Sequence, residues 1–235
     1  GVHMPLVGLG TWLLNSSEAY DALTLALANG YPHVDTALGY ENQVGVGAAL
    51  RDAGTARKDV FITSKIPGGL SAKETREALD ECLEQLGVSY VDLMLVHFPA
   101  TWSGEGGPER RQEQWLAMEE YVGAGKLRAI GVSHYCPRHL EDVLAVASVP
   151  VALNQVQYHV GMGAGDDVNA TDGRAFCEQK GITYMSFSPL CGPCPGPDHA
   201  ALITGPLVSK VGAKYGKTGA QVSLKWLGEQ GIPVG

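Results

Sequence analysis

The chain has 235 residues, a mass of 24.8 kDa, 45% hydrophobic and 18% charged residues, and a formal net charge of −8. That is enough apolar material for a sizeable core, and the even texture assigns residues 1–235 to a single domain. A sequence pI near 5.3 argues against a nucleic-acid surface, because basic pairs such as Arg110–Arg111 are too small to reverse it.

Strand-like and helix-like segments alternate along the whole chain, which selects a parallel sheet because parallel neighbours need a helical crossover. The strand candidates are 6–12, 33–36, 60–65, 91–97, 129–133, 153–158, 183–188 and 232–234. Between them, Ser71 with Glu74 reads as a capping box, followed by Leu79, Cys82, Leu83 and Leu86 at helical spacing and a stop at Gly87. Pro137 suits a first helical position, and Thr218 with Gln221 repeats the capping signal near the end. Eight parallel strands predict an α/β fold, a closed (β/α)8 TIM barrel. Stretches 101–108 and 191–197 follow the carboxyl ends of strands, the face where such barrels keep their chemistry, and read as substrate loops.

Three of the strands end in, or lead into, groups that move or steer protons: Asp35 with Tyr40 just beyond, Lys65, and His97. Strand ends converge at one mouth of a barrel. A free tyrosine titrates near 10, so Tyr40 needs Lys65 beside it to act as an acid, and Lys65 needs the counter-charge of Asp35. His97 can donate from a ring nitrogen and orient a carbonyl beside that acid.

At these residues the chain resembles an aldo-keto reductase. The resemblance runs through Met4-Pro5-Leu6-Val7-Gly8-Leu9-Gly10-Thr11-Trp12, Asp35-Thr36-Ala37 with Tyr40 and Asn42, and the strand closing on Lys65. It continues through Tyr90-Val91-Asp92-Leu93, His97 with Pro99, the segment Gly125 to Ser133, Asn154-Gln155 and Ser188-Pro189-Leu190. The family likeness implies an oxidoreductase that reduces an aldehyde or ketone to an alcohol, with NADPH, less often NADH, as cofactor. Tyr40 would be the general acid, Lys65 and Asp35 its tuning pair, and His97 the carbonyl-orienting group. The matching positions further imply Gln155 and Ser133 on the nicotinamide carboxamide, with Thr11, Ser188 and Leu190 lining the cofactor and Trp12 walling the substrate pocket. His134 stands where the family has asparagine, which weakens its grip on the carboxamide. Phe187 replaces a tyrosine that stacks on the nicotinamide, and a ring face is all that stacking needs. Phe98 replaces a tryptophan after the histidine, and Trp102 in the following loop joins the specificity set.

Past Gly235 the family pattern continues with a Lys-Ser segment, a last barrel helix and a C-terminal loop, all absent from this sequence. The Gly1-Val2-His3 start likewise lacks the family's hairpin, so the expectation is a sequence shorter than the whole protein. The adenosine 2′-phosphate contacts are therefore unassigned.

Taken singly, each catalytic candidate has a structural reading: a helix cap for Asp35, a solvated strand end for Lys65, a core histidine for His97, loop packing for Tyr40. All four in order, with the flanking motifs, favour catalysis. The competing class is a nicotinamide-binding regulatory or structural protein on the same barrel, with little turnover. Cys191-Gly192-Pro193-Cys194 spells a redox-type CxxC in the wrong context, and Gly45-Val46-Gly47 is not a dinucleotide fingerprint. No His or Cys cluster has metal-ligand spacing, and His139, His159 and His199 read as surface or core residues. The sequons at Asn15 and Asn169 read as chance matches. Five scattered cysteines suit reduced thiols, and no apolar run reaches the roughly 20 residues of a membrane span. The expectation is therefore a cytoplasmic protein, a monomer or weak dimer acting on a small-molecule carbonyl compound, with no nucleic-acid or membrane partner.

Overall fold

The computed structural model describes residues 2–162, 173–191 and 198–235. The sequon at Asn169, Cys194 with the rest of 192–197, and the side chain of His199 lie outside the described residues.

Seven parallel strands follow one another in chain order around the sheet: β1 (Leu9–Gly10), β2 (His33–Asp35), β3 (Phe61–Ile66), β4 (Leu93–Val96), β5 (Ile130–Ser133), β6 (Leu153–Gln157) and β7 (Thr183–Phe187). The expected eighth strand is reduced to a single bridging residue, Val234, which pairs in parallel with Val7 on one side and Ser186 on the other. Four backbone hydrogen bonds of 2.8–3.1 Å close the barrel there, from Gly8 and Ser186 to Val234 and Pro233 and from Val234 and Gly235 to Leu6 and Ser186. Pro233 has no N–H to give the ladder and contributes only its carbonyl, which accepts from Ser186 N. The first strand is also shorter than 6–12, and a little beyond it Leu13 takes a positive φ of 69°.

Helices cover the outside. They are α1 (Ser16–Ala28), α2 (Gln43–Asp52), α3 (Ala72–Leu86), α4 (Pro108–Gly123), α5 (Pro137–Leu144) and α6 (Gly173–Lys180), then α7 (Asp198–Thr204), α8 (Pro206–Ala213) and α9 (Gly219–Gly228). The capping boxes at Ser71/Glu74 and Thr218/Gln221 form as the sequence predicts, and Gly87 ends α3 at φ +65°. Asn15 is the N-cap of α1, accepting from Ser17 N at 2.9 Å and Glu18 N at 3.0 Å, which gives that sequon residue a structural role. Gly45 and Gly47 serve packing: a Cβ on Gly45 would sit 1.9 Å from Ser16 O, and one on Gly47 would sit 2.6 Å from Leu86 O. No described helix is long and apolar enough to cross a membrane. Cys82, Cys136 and Cys177 are free thiols, whereas Cys191 is disulfide-bonded, which corrects the expectation of reduced cysteines throughout.

Strand alternation splits the core into two layers. Val34, Ile62, Met94 and Val132 point outward and pack under helix residues such as Leu79, Trp115 and Leu140. Phe61, Leu93, Leu95, Leu153 and Met185 fill the barrel interior. On β3, β4 and β6 the same inward face continues upward to Lys65, His97 and Gln155, so the period of two that buries the floor also delivers the polar groups to the mouth.

Candidate active site

Asp35 ends β2, and a 3₁₀ turn at Leu38–Tyr40 brings the Tyr40 phenol back over the strand ends. Lys65 Nζ donates to Asp35 Oδ1, to Thr36 O at 3.1 Å and to Tyr40 OH at 3.3 Å, so all three ammonium donors are committed. Gln155 Nε2 donates to the other Asp35 oxygen at 2.6 Å. Asn42 braces the turn: its Nδ2 donates to Thr11 O at 2.7 Å and Leu14 O at 2.9 Å, and its Oδ1 accepts from Thr36 Oγ1 at 3.2 Å.

The His97 ring meets Tyr40 edge-on, with centroids 5.6 Å apart. From His97 an aromatic ladder runs across the mouth: Phe98 at 4.6 Å, then His134 at 4.4 Å from Phe98, then Phe187 at 4.7 Å from His134. Trp102, 89% exposed, stands edge-on to Phe98 at 5.3 Å. His134, at φ +60°, places Nδ1 3.0 Å from His97 O and 2.9 Å from Ser133 Oγ, while Ser133 Oγ donates to Gln155 O at 2.8 Å.

Burial is the largest influence on these groups. It lowers His97 to about 3, with Lys65 adding to the effect, and His134 to about 4, so both imidazoles are neutral at pH 7. Burial also pulls on the Lys65 ammonium, but Asp35 and then Tyr40 outweigh it and hold Lys65 above its ordinary value. For Tyr40 burial outweighs Lys65, so the phenol titrates above 10.0 and not below it as the sequence argument expects. The structure therefore holds a protonated phenol against an ammonium ion.

Thr11, Trp12, Asp35, Tyr40, His97, Phe98, Trp102, His134, Gln155, Phe187 and Ser188 all line one cavity of about 890 Å³. Lys65 lies beneath Tyr40 and Ser133 behind Gln155, both buried, and Leu190 falls outside the lining. Six lining residues escape the sequence reading: Gly39, Pro67, Gly68, Leu70, Ala100 and Gln157. Gln157 is accessible in principle, since it shares the inward face of β6 with Gln155. Gly68 has no local signal; a Cβ there would lie 1.8 Å from Phe98 O, a constraint set across the chain. A second cavity of about 560 Å³ shares Ala100 with the first and is lined by Arg111, Arg138, His139 and Asp142. Among the described residues no group of three or more His, Cys, Asp or Glu side chains could hold a metal ion.

The family model described as "Aldo/keto reductase family" matches residues 6–234. The chain belongs to the aldo/keto reductase family. It is 34% identical over 234 residues to glyoxal reductase of Bacillus subtilis, covering 99% of this chain and 78% of that protein. It is 32% identical to glycerol 2-dehydrogenase (NADP(+)) of Saccharomyces cerevisiae, covering 100% of this chain and 78% of that one. Among solved structures, an aldo-keto reductase enzyme from a Medee basin deep-sea metagenome library superposes with a TM-score of 0.87 at 30% identity, covering 99% of this chain and 80% of that one. An aldo/keto reductase from Brucella melitensis does so with a TM-score of 0.85 at 33% identity, covering 99% and 83%. This aldo/keto reductase chain is thus an oxidoreductase on a (β/α)8 barrel.

Proposed function

We propose that the chain reduces an aldehyde or ketone to an alcohol with NADPH, Tyr40 delivering the proton to the carbonyl oxygen. The observation that carries this reading is the committed ammonium: Lys65 Nζ reaches Tyr40 OH at 3.3 Å while its other donors are held by Asp35 and Thr36 O. With the phenol oxygen accepting from Lys65, its own O–H is left to donate into the cavity. As the proton leaves, Lys65 stabilises the phenolate that remains. His97, neutral and beside Tyr40, offers one N–H to the same carbonyl oxygen.

The cavity fits the nicotinamide end of such a cofactor. Gln155, a lining residue of the cavity, spends its Nε2 on Asp35 and Met185 Sδ, which leaves Oε1 without a donor among the described residues. Phe187 supplies an aromatic face on the same wall. When bound, the nicotinamide would supply the hydride. The NADP(+) in the yeast relative's name supports NADPH over NADH.

Consumption of NADPH, followed by its absorbance with glyoxal, small aldehydes and ketones, tests the reading. Turnover of about 1 to 10³ per second with one or more of them is expected. A folded chain that binds NADPH and reduces none of them overturns it. His134, set between Phe98 and Phe187 where the family has asparagine, favours a second reading of cofactor binding with little turnover; the same assay separates the two.

A further inference from the structure

We infer that Gln155 is a positioning residue for proton delivery, acting on Tyr40 through Asp35 and Lys65. This rests on the reductase reading for its biological meaning, but its observations stand apart from the cofactor.

Asp35 accepts on both oxygens from opposite walls of the barrel: Oδ1 takes Lys65 Nζ from β3, and Oδ2 takes Gln155 Nε2 from β6 at 2.6 Å. A carboxylate held at one oxygen can rotate about its last torsion; held at both, it keeps one lone pair on Lys65. Asp35 and Gln155 are 4% and 2% exposed, and a Cβ added at Gly235 would lie 3.1 Å from Oδ2, so that oxygen is enclosed by protein. Gln155 is itself fixed from behind, its backbone oxygen accepting from Ser133 Oγ at 2.8 Å and His134 N at 3.0 Å. The amide has one workable orientation, because the reverse would set Oε1 against the carboxylate.

The electrical consequence follows from sign. At Tyr40 the negative charge of Asp35 opposes the positive charge of Lys65. A donor on Oδ2 offsets part of the Asp35 charge, and so favours release of the Tyr40 proton. A ligand amide donating to the free Oε1 would polarise the same Gln155 group and strengthen its N–H bond to Asp35. Occupancy of the nicotinamide side is thereby coupled to the acidity of the phenol. The charged and titratable groups facing the network are Lys65 from β3, His97 after β4, His134 after β5 and, one layer below on β2, His33.

The test is an alkaline titration of Tyr40 in the cofactor-free chain, followed by NMR of ζ-carbon-labelled tyrosine and assigned with Tyr40→Phe. Gln155→Met removes the donor at nearly constant volume, and Gln155→Glu adds a carboxylate in its place. Both should raise the Tyr40 midpoint, by about half a unit or more. In the loaded enzyme, Gln155→Met should also lower kcat by about threefold to tenfold at saturating NADPH and move the alkaline limb of the kcat profile upward. Unmoved Tyr40 midpoints in both folded variants, with any loss confined to NADPH affinity, would overturn the inference and leave Gln155 a carboxamide ligand alone. If the native chain reduces no carbonyl compound, the reductase reading fails while the NMR titration still decides the role of Gln155.

Discussion

Replacing Asp35 by asparagine isolates the energetic core of the site. Lys65 and Asp35 side chains are 1% and 5% exposed, and the other two acceptors of Lys65, Thr36 O and Tyr40 OH, carry no charge at neutral pH. Asp35→Asn therefore leaves a buried ammonium uncompensated, which costs about 3–5 kcal/mol. Gln155 Nε2 lies 2.6 Å from Oδ2, so with the asparagine oxygen turned to Lys65 the Gln155 amide must turn over to accept from the new N–H. Against a typical total of about 5–15 kcal/mol the loss is a large fraction. With a urea slope of about 2–3 kcal/mol per molar, the midpoint should fall by roughly 1–2 M at unchanged slope. Asp35→Asn/Lys65→Met, which removes both charges, should recover most of it. The pH dependence has a definite sign. Lys65 titrates above its ordinary 10.5, so its contribution is fully present below that pH and is lost as pH rises through the higher folded value. A single variant costing under about 1 kcal/mol, or a double variant weaker than the single, would refute the idea of a stabilised buried pair.

Other consequences are open to direct measurement. His97, His134 and His139 titrate at about 3, 4 and 4 when folded, against 6.5 unfolded, so the unfolded chain gains protons first on acidification. Urea midpoints should fall steadily from pH 6.5 toward pH 4, and a flat profile across that window would contradict the burial argument. Gly45→Ala pushes a methyl to 1.9 Å from Ser16 O in the α1–α2 contact and should cost about 1–3 kcal/mol; an unchanged melting temperature would mean that the helices separate freely. Trp102→Ala removes an exposed wall beside Phe98, so KM for aromatic aldehydes should rise several-fold at constant kcat and NADPH affinity, and a fall in kcat alone would place Trp102 nearer the chemistry.

Much of the fold is readable in the chain because its patterns are local. Alternating strand and helix signals locate the seven strands and the closing bridge at Val234, and the boxes at Ser71 and Thr218 locate two helix starts to the residue. Asp35, Lys65 and His97 are legible because a parallel barrel sends its strand ends to one mouth. What escapes is set by contacts distant in sequence. The Gln155–Asp35 bond joins residues 120 positions apart, and Gly68 is constrained by the backbone of Phe98. The direction of the Tyr40 shift is hidden for the same reason: the sequence names the ammonium, but the burial that outweighs it exists only in the folded barrel.

Tyr40→Phe is the most direct test, since it deletes one oxygen and leaves the ring against His97. With this single deletion kcat for aldehyde reduction should fall at least about 100-fold while NADPH affinity changes by less than about twofold. A Tyr40→Phe protein retaining more than about a tenth of native kcat would show that the proton comes from elsewhere.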